Sequence, residues 1–286
     1  MGKAAQTRVQ TARGRLAAER AAEERRAAAR RRMLIMGGAV VAVIALVVGF
    51  IVVRSNQKPP AAAGSATNAQ IVKDLASVST TTFDSVGKGN AAGLKAISGQ
   101  PELTKNGKPE VLYIGGEFCP YCAAERWAIA TALSRFGSLS ATKLIHSSPT
   151  DVYPNTPTLS FAGSSYTSNY LAFSPVEWYG PVDGQVLQQP TAQQTALFNQ
   201  YSGNAFPFLD IANRYTLAVG AQYNAADLAG LTWSQIAADV KNPSSTVAKD
   251  IDGAANVITA ALCKVTNGQP GNVCSSAGVK AAAGSL

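Results

Sequence analysis

The 286-residue sequence is poor in the side chains from which metal and hydrolase sites are usually built. It contains one histidine, His146, which excludes a multi-histidine metal site, and a Ser-His-Asp hydrolase would have to use that residue. Charged residues make up only 15% of the chain and hydrophobic residues 47%, so wholesale disorder is excluded. The composition indicates a folded domain whose chemistry depends on other side chains.

Almost all of the net positive charge lies in the N-terminal segment. Residues 1–32 hold ten lysines and arginines against three glutamates, which accounts for +7 of the net charge of +8. A nucleic-acid-binding domain usually spreads basic residues over a folded face and places aromatic residues between them. Residues 1–32 contain no aromatic residue. We therefore predict no nucleic-acid partner.

A hydrophobic segment follows the basic one directly. Residues 33–53 contain no charged residue, and as a helix they would span about 31 Å, enough to cross a bilayer. The positive-inside rule then predicts a single-pass membrane protein with residues 1–32 in the cytoplasm, in contact with anionic lipid, and residues 54–286 outside it. The alternative is a signal peptide that is cleaved near residues 61–63.

The composition of the remaining chain predicts one extracytoplasmic domain. Residues 54–67 include Pro59-Pro60 and a run of Ala, Gly and Ser, which is typical of an exposed linker. The folded domain is predicted to cover residues 68–275. The alanine-rich residues 276–286 are predicted to form a tail.

A closely spaced cysteine pair lies between a predicted strand and a predicted helix. The apolar residues 110–115 suit a buried strand, and from Pro120 to Phe136 apolar residues recur at helical spacing. Proline is favoured at the first helical position, so Cys119 should be the N-cap and Cys122 should lie one turn further, on the same face.

This position predicts redox chemistry. Backbone N–H groups and the helix dipole lower the pKa of a thiol at a helix N-terminus, so Cys119 should be the nucleophile and Cys122 the resolving thiol. A static disulfide is an alternative, and a zinc site is another, although it would need further ligands that Cys263, Cys274 and His146 are poorly spaced to supply. We predict no metal and no cofactor.

The second cysteine pair, Cys263 and Cys274, flanks a turn-forming segment, residues 267–272. Outside the cytoplasm such a pair should form a structural disulfide. A resolving role towards Cys122 is the alternative.

The residues around the first pair carry a resemblance. Gly116-Glu-Phe-Cys-Pro-Tyr-Cys-Ala-Ala-Glu-Arg-Trp127 resembles the thioredoxin superfamily and looks like a membrane-anchored thioredoxin-like family known mainly as a domain of unknown function. The resemblance covers roughly residues 68–275. It implies an α/β thioredoxin-like fold with a cis-proline opposite the cysteines, a role that Pro207 fits at the start of the predicted hairpin 208–219. An ordinary trans-proline is the alternative.

The resemblance also implies a substrate site. The backbone of Phe206 would pair with an extended substrate strand, and Pro120 and Tyr121 would contact the substrate beside Cys119. Residues 150–190 are predicted to lie in an insertion between the redox helix and the cis-Pro strand, forming a sheet extension or a lid. Their aromatic side chains are expected to be mainly local core.

Three other side chains have ambiguous roles. Glu117 and Glu125 flank the cysteines and could relay protons to Cys122 or raise the pKa of Cys119, which are opposite effects. His146 is expected to be structural.

Taken together, these features predict a membrane-anchored thiol–disulfide oxidoreductase. It would act outside the cytoplasm on thiols or disulfides of exported proteins, with a possible membrane redox partner, and its direction, oxidase or reductase, is undecided. One alternative is a non-catalytic thioredoxin-like module of a membrane protein complex. Another is an envelope redox sensor that signals through residues 1–32.

Overall fold

The computed structural model describes residues 67–217 and 220–286, which fall within one compact unit. The predicted basic segment, membrane span and linker up to residue 66 lie outside these residues. Among the described residues, no helix combines the length and the apolar character that crossing a bilayer requires.

The described residues form alternating helices and strands. The α-helices are α1 (Asn68–Ala76), α2 (Thr80–Val86), α3 (Pro120–Ser134), α4 (Ala192–Tyr201), α5 (Trp233–Asp239), α6 (Thr246–Val265), α7 (Gly271–Cys274) and α8 (Ala277–Ala282). The strands are β1 (Lys95–Ala96), β2 (Thr104–Lys105), β3 (Lys108–Gly116), β4 (Gly137–Ser140), β5 (Lys143–His146), β6 (Pro157–Ser160), β7 (Ser165–Ser168), β8 (Ala172–Tyr179), β9 (Phe208–Ile211) and β10 (Tyr215–Thr216). Short 3₁₀ helices cover Ala225–Leu228 and Ala283–Ser285.

A mixed sheet forms the centre of the domain. The order of its strands is β8–β3–β9–β10–β1, and β2 pairs with the start of β3. Strands β3 and β8 run parallel, whereas β3 and β9 are antiparallel with Ile114 opposite Phe208. The fold is therefore mixed α/β, as the sequence predicts. Two separate antiparallel pairs, β4 with β7 and β5 with β6, lie between α3 and β8 in the chain.

Both faces of β3 are buried, because successive side chains of a strand point to opposite sides of the sheet. Val111 and Tyr113 belong to the larger apolar core, which includes α3 and α6. Leu112 and Ile114 belong to a second core that is closed by Phe198 of α4. This three-layer packing fixes the carboxyl end of β3, from which the chain enters α3.

The C-terminal residues differ from the predicted tail. Residues 277–282 form α8, in which Val279 and Ala282 are buried against the larger core. The backbone of Ser285 accepts a hydrogen bond from the N–H of Leu94. Alanine is both a good helix former and small enough for close packing, so an alanine-rich composition alone does not distinguish a tail from a packed helix.

Candidate functional site

The cysteine pair lies where the sequence predicts it. Strand β3 ends at Gly116, and Cys119 is the N-cap of α3 with Pro120 in the first helical turn. The N–H of Cys119 donates to the carbonyl of Gly116 at 3.2 Å. The Cys119 sulfur accepts the N–H of Cys122 at 3.3 Å, which satisfies one of the free donors at the helix start.

The two thiols are free in the structure and differ in their environments. Cys119 retains 7% of its surface, and Cys122 retains none. A hydrogen bond from the Cys122 thiol lowers the pKa of Cys119, and although burial opposes this effect, the Cys122 N–H and the charge of Arg126 reinforce it. Burial, together with the neighbouring Cys119, raises the pKa of Cys122 well above its ordinary value. This asymmetry makes Cys119 the better nucleophile.

We expect alkylation to reveal this asymmetry. In the reduced protein below pH 7, iodoacetamide should modify Cys119 at least about tenfold faster than Cys122, because only Cys119 combines exposure with a lowered pKa. Peptide mapping by mass spectrometry measures the two rates. A Cys119→Ser variant is the matched control, and its Cys122 should stay unmodified until the protein unfolds. Equal rates for the two thiols would contradict the asymmetry.

The helix that begins at the cysteines also contributes to a buried ion pair. Arg126, one turn after Cys122 on α3, donates from Nε and Nη2 to the two carboxylate oxygens of Glu177 on β8, both at 2.8 Å. Neither side chain is exposed to solvent. Nη2 also donates at 2.7 Å to the carbonyl of Gly116, the same carbonyl that accepts the Cys119 N–H. The guanidinium therefore joins the end of β3, the start of α3 and β8.

Pro207 precedes β9, and the Phe206–Pro207 peptide bond is cis, as predicted. Because Phe208 pairs with Ile114, the register brings Pro207 and Phe206 towards the end of β3 that leads to the cysteines. The Phe206 ring lies 5.9 Å from the ring of Tyr179, whose ring in turn lies 6.4 Å from that of Phe118. Aromatic contacts thus connect the residue before Cys119 with the residue before Pro207. The predicted role of Phe206 in substrate pairing stays a prediction.

Residues 172–179, which the sequence places in the insertion, form β8 and pair with β3 in the central sheet. Two loops, one after β5 and one after β8, enclose the backbone before Cys119. The carbonyl of Phe118 accepts the N–H of Ser148 at 2.7 Å, and the N–H of Phe118 donates to the carbonyl of Gly180 at 3.2 Å. On one side the ring of Tyr153 lies 6.1 Å from that of Tyr121. Phe161, by contrast, is fully buried in the core, as expected for most aromatic residues of this segment.

The exposed large hydrophobic residues concentrate around the same backbone. They come from the segment between the cysteines and from the two loops that enclose it: Tyr121, Val152, Val182, Val186 and Leu187.

Both flanking glutamates are buried and hydrogen-bonded within the domain. Glu117 accepts a hydrogen bond from the hydroxyl of Ser160. Glu125 accepts the N–H of Gln222 at 2.9 Å, and burial raises the pKa of its carboxyl to about 7. The ring of His146 lies 4.4 Å from the ring of Trp233 at an interplanar angle of 57°, a packing contact that agrees with the expected structural role.

Cys263 and Cys274 form a disulfide with a Cα–Cα distance of 5.6 Å, which confirms the predicted pairing. It joins the last turn of α6 to α7. Among the described residues, no group of three or more His, Cys, Asp or Glu side chains is arranged to hold a metal ion.

Sequence reasoning missed Arg126 and Glu177. One available signal was the position of Arg126, a charged residue four positions after Cys122 and therefore on the same face of the helix. Its partner Glu177 is 51 positions away in the chain, and no local pattern connects the two.

Residues 96–264 match the family described as Domain of unknown function (DUF929), and the chain belongs to this family. The match begins at β1 and ends within α6, so it includes the cysteine pair, the Arg126–Glu177 ion pair and Pro207. No curated protein and no solved structure matches the chain.

Proposed function

We propose that this protein is a membrane-anchored thiol–disulfide oxidoreductase of thioredoxin-like fold, which acts outside the cytoplasm on cysteines of exported proteins. The observation that carries the proposal is the asymmetric pair at the start of α3, with Cys119 at the N-cap and Cys122 buried one turn below it. A static pair would not require one thiol to be partly exposed and to have a lowered pKa.

The order of elements supports a thioredoxin-like fold. Strand β3, helix α3 and the parallel strand β8 form one unit, and α4, the antiparallel β9 and β10, and α6 follow it along the chain. This matches the sheet order β8–β3–β9–β10 expected for the fold, with the cysteines after β3 and a cis-proline before β9. Strands β4 to β7 then belong to the insertion.

The proposed reaction is a two-step exchange. In the reductive direction, the Cys119 thiolate attacks one sulfur of a substrate disulfide, which forms a mixed disulfide and releases the second substrate sulfur as a thiol. The Cys122 sulfur, after losing its proton, then attacks Cys119 and releases the first substrate sulfur. The substrate gains two electrons and two protons, and the cysteine pair becomes a disulfide. The oxidative direction is the reverse of these steps.

The apolar surface around Tyr121, Val152 and the loop 182–187 supports a polypeptide as the substrate. A small thiol would make little use of hydrophobic side chains on both sides of Cys119. An unfolded exported protein carries apolar segments next to its cysteines and could bury them there.

An exchange assay with the full-length protein in mild detergent tests the proposal. The protein should accelerate the reduction of insulin by dithiothreitol or the oxidation of a reduced, unfolded disulfide protein. If it accelerates neither reaction, the proposal fails and the chain is better explained as a non-catalytic module of a membrane protein complex.

The membrane topology rests on the sequence of residues 1–58 and has a direct test. A reporter enzyme that is active only outside the cytoplasm should be active when fused after Leu286 and inactive when fused before Met1, because the positive charge precedes the apolar segment. Reversing the charge of five arginines in residues 20–31 should weaken this difference. The opposite reporter pattern would place the cysteines in a reducing compartment and contradict the proposal.

A further inference from the structure

Three hydrogen bonds fix the position of the Arg126 guanidinium. It is anchored by two hydrogen bonds to Glu177 and one to the carbonyl of Gly116, all between 2.7 and 2.8 Å. Glu177 is itself fixed, because its Oε1 accepts the N–H of Phe161 at 3.1 Å. The charge is thus immobilised at the junction of β3 and α3, on the carbonyl of Gly116 that also accepts the Cys119 N–H.

The anchoring leaves part of the guanidinium without a partner. Nη1 of Arg126 is buried and has no hydrogen-bond partner, and the same is true of the hydroxyl of Tyr113. The Arg126 guanidinium lies 5.9 Å from the centre of the Tyr113 ring. Buried donors are normally paired, so an unpaired one beside a reactive group needs an explanation. Cys122 precedes Arg126 by one helical turn and offers a sulfur on the same face.

The charge of Arg126 acts on both thiols. Beside the hydrogen bond from the Cys122 thiol, it helps to lower the pKa of Cys119, and it partly offsets the effect of burial on Cys122. A positive charge in a buried site stabilises a thiolate but has little effect on a neutral disulfide. It should therefore favour the reduced state of the pair, which holds the thiolate.

We propose that Arg126 is a positioning residue that stabilises the Cys119 thiolate. It thereby makes the cysteine pair an oxidant, which donates its disulfide to substrates, rather than a reductant. This rests on the proposed oxidoreductase function and assigns its direction. In the relevant equilibrium, the Cys119–Cys122 disulfide and two molecules of glutathione give the dithiol and one glutathione disulfide. Two electrons pass from glutathione to the pair. Of the two glutathione protons, one stays on the Cys122 thiol and the other is released to solvent when Cys119 remains a thiolate.

The test compares charge-neutral and charge-unbalanced variants of the full-length protein. Arg126→Gln combined with Glu177→Gln removes both charges and retains groups that can hydrogen bond to each other. Glu177→Gln alone retains the arginine without its counter-charge. Equilibration with glutathione buffers at pH 7 measures the redox equilibrium, and the pH profile of Cys119 alkylation measures the thiolate directly.

For the double variant, we expect the equilibrium to move at least tenfold towards the disulfide, which corresponds to about 30 mV. The alkylation profile of Cys119 should move to higher pH. For Glu177→Gln alone, both measurements should move in the opposite direction. A merely structural role would alter the melting temperature but would not move the two variants in opposite directions.

The outcomes separate the two proposals. If the wild-type pair equilibrates with glutathione and the double variant stays within twofold of it in both measurements, the role of Arg126 is overturned. If the double variant does not fold, the alkylation profile of Cys119 in Glu177→Gln alone is the test. A profile that stays at the wild-type pH or moves to higher pH overturns the proposal. If the wild type accelerates no exchange with protein substrates yet the alkylation profiles shift as expected, the proposed function fails while the electrostatic role of Arg126 stands.

Discussion

Replacing Cys119 with serine should lower the rate of thiol–disulfide exchange by about 1,000-fold or more, because a serine hydroxyl stays protonated at neutral pH and cannot form a stable mixed disulfide. Cys119 is the thiol that is partly exposed and has a lowered pKa. The insulin and thiol-oxidation assays measure the loss. Activity near the wild-type level in this variant would show that another cysteine is the nucleophile.

Replacing Cys122 with serine should have a different effect. Cys119 would still attack a substrate disulfide, but the buried thiol that releases the product would be missing. Mixed disulfides with substrate proteins should therefore accumulate, visible as reductant-sensitive bands on non-reducing gels. They should disappear in the Cys119→Ser, Cys122→Ser double variant.

The Cys263–Cys274 pair supplies the matched control. Replacing both with serine should leave the exchange rate within a few-fold of the wild type, because their disulfide joins α6 to α7 and serves the packing of the domain. The free energy of unfolding should fall by about 2–3 kcal/mol, the value expected for a loop this short. Loss of exchange in a folded variant would instead support a resolving role for this pair.

The second large effect concerns the stability of the domain as pH changes. Asp252 on α6 is fully buried, and neither carboxylate oxygen has a hydrogen-bond partner. Burial raises the pKa of its carboxyl to about 8, although the charge of Arg135 opposes the shift. The folded protein therefore binds this proton more tightly than the unfolded chain, whose carboxyl has a pKa near 3.8.

The consequence is a loss of stability as pH rises. Between pH 5 and pH 8, the unfolded chain has already released the proton of Asp252, while the folded state must hold it or carry a buried charge. The contribution of Asp252 to the free energy of unfolding should fall by about 2–4 kcal/mol over this range. Glu125, with a pKa raised to about 7, acts in the same direction.

Chemical denaturation at pH 5, 6.5 and 8 measures the effect. Asp252→Asn resembles the protonated acid and cannot titrate, so its stability relative to the wild type should increase by about 2–4 kcal/mol between pH 5 and pH 8. Asp151→Asn, at an exposed position, is the control and should change neither value. If Asp252→Asn differs from the wild type equally at all three pH values, Asp252 does not titrate in this range.

Short-range patterns in the sequence were sufficient to predict the cysteine site and its strand and helix. The apolar run before Gly116 and the proline after Cys119 act through local backbone preferences, so strand, N-cap and helix appear where predicted. The hairpin of β9 and β10 was predicted for the same reason.

Contacts between distant parts of the chain decided the rest. Arg126 meets Glu177 because β8 lies parallel to β3, and Phe118 lies between Ser148 and Gly180 because the loops after β5 and β8 fold back to the end of β3. The partner of a buried charge depends on which strands become neighbours.

The C-terminal helix and Asp252 show the same limit. Residues 277–282 pack as α8 because a hydrophobic surface is available there, and Asp252 is buried because α6 lies inside the domain. Local sequence determined the strand and helix that carry the cysteines and where the thiols lie on them. The burial that tunes the thiols and carboxyls comes from tertiary packing, since the cost of a buried charge depends on everything that surrounds it.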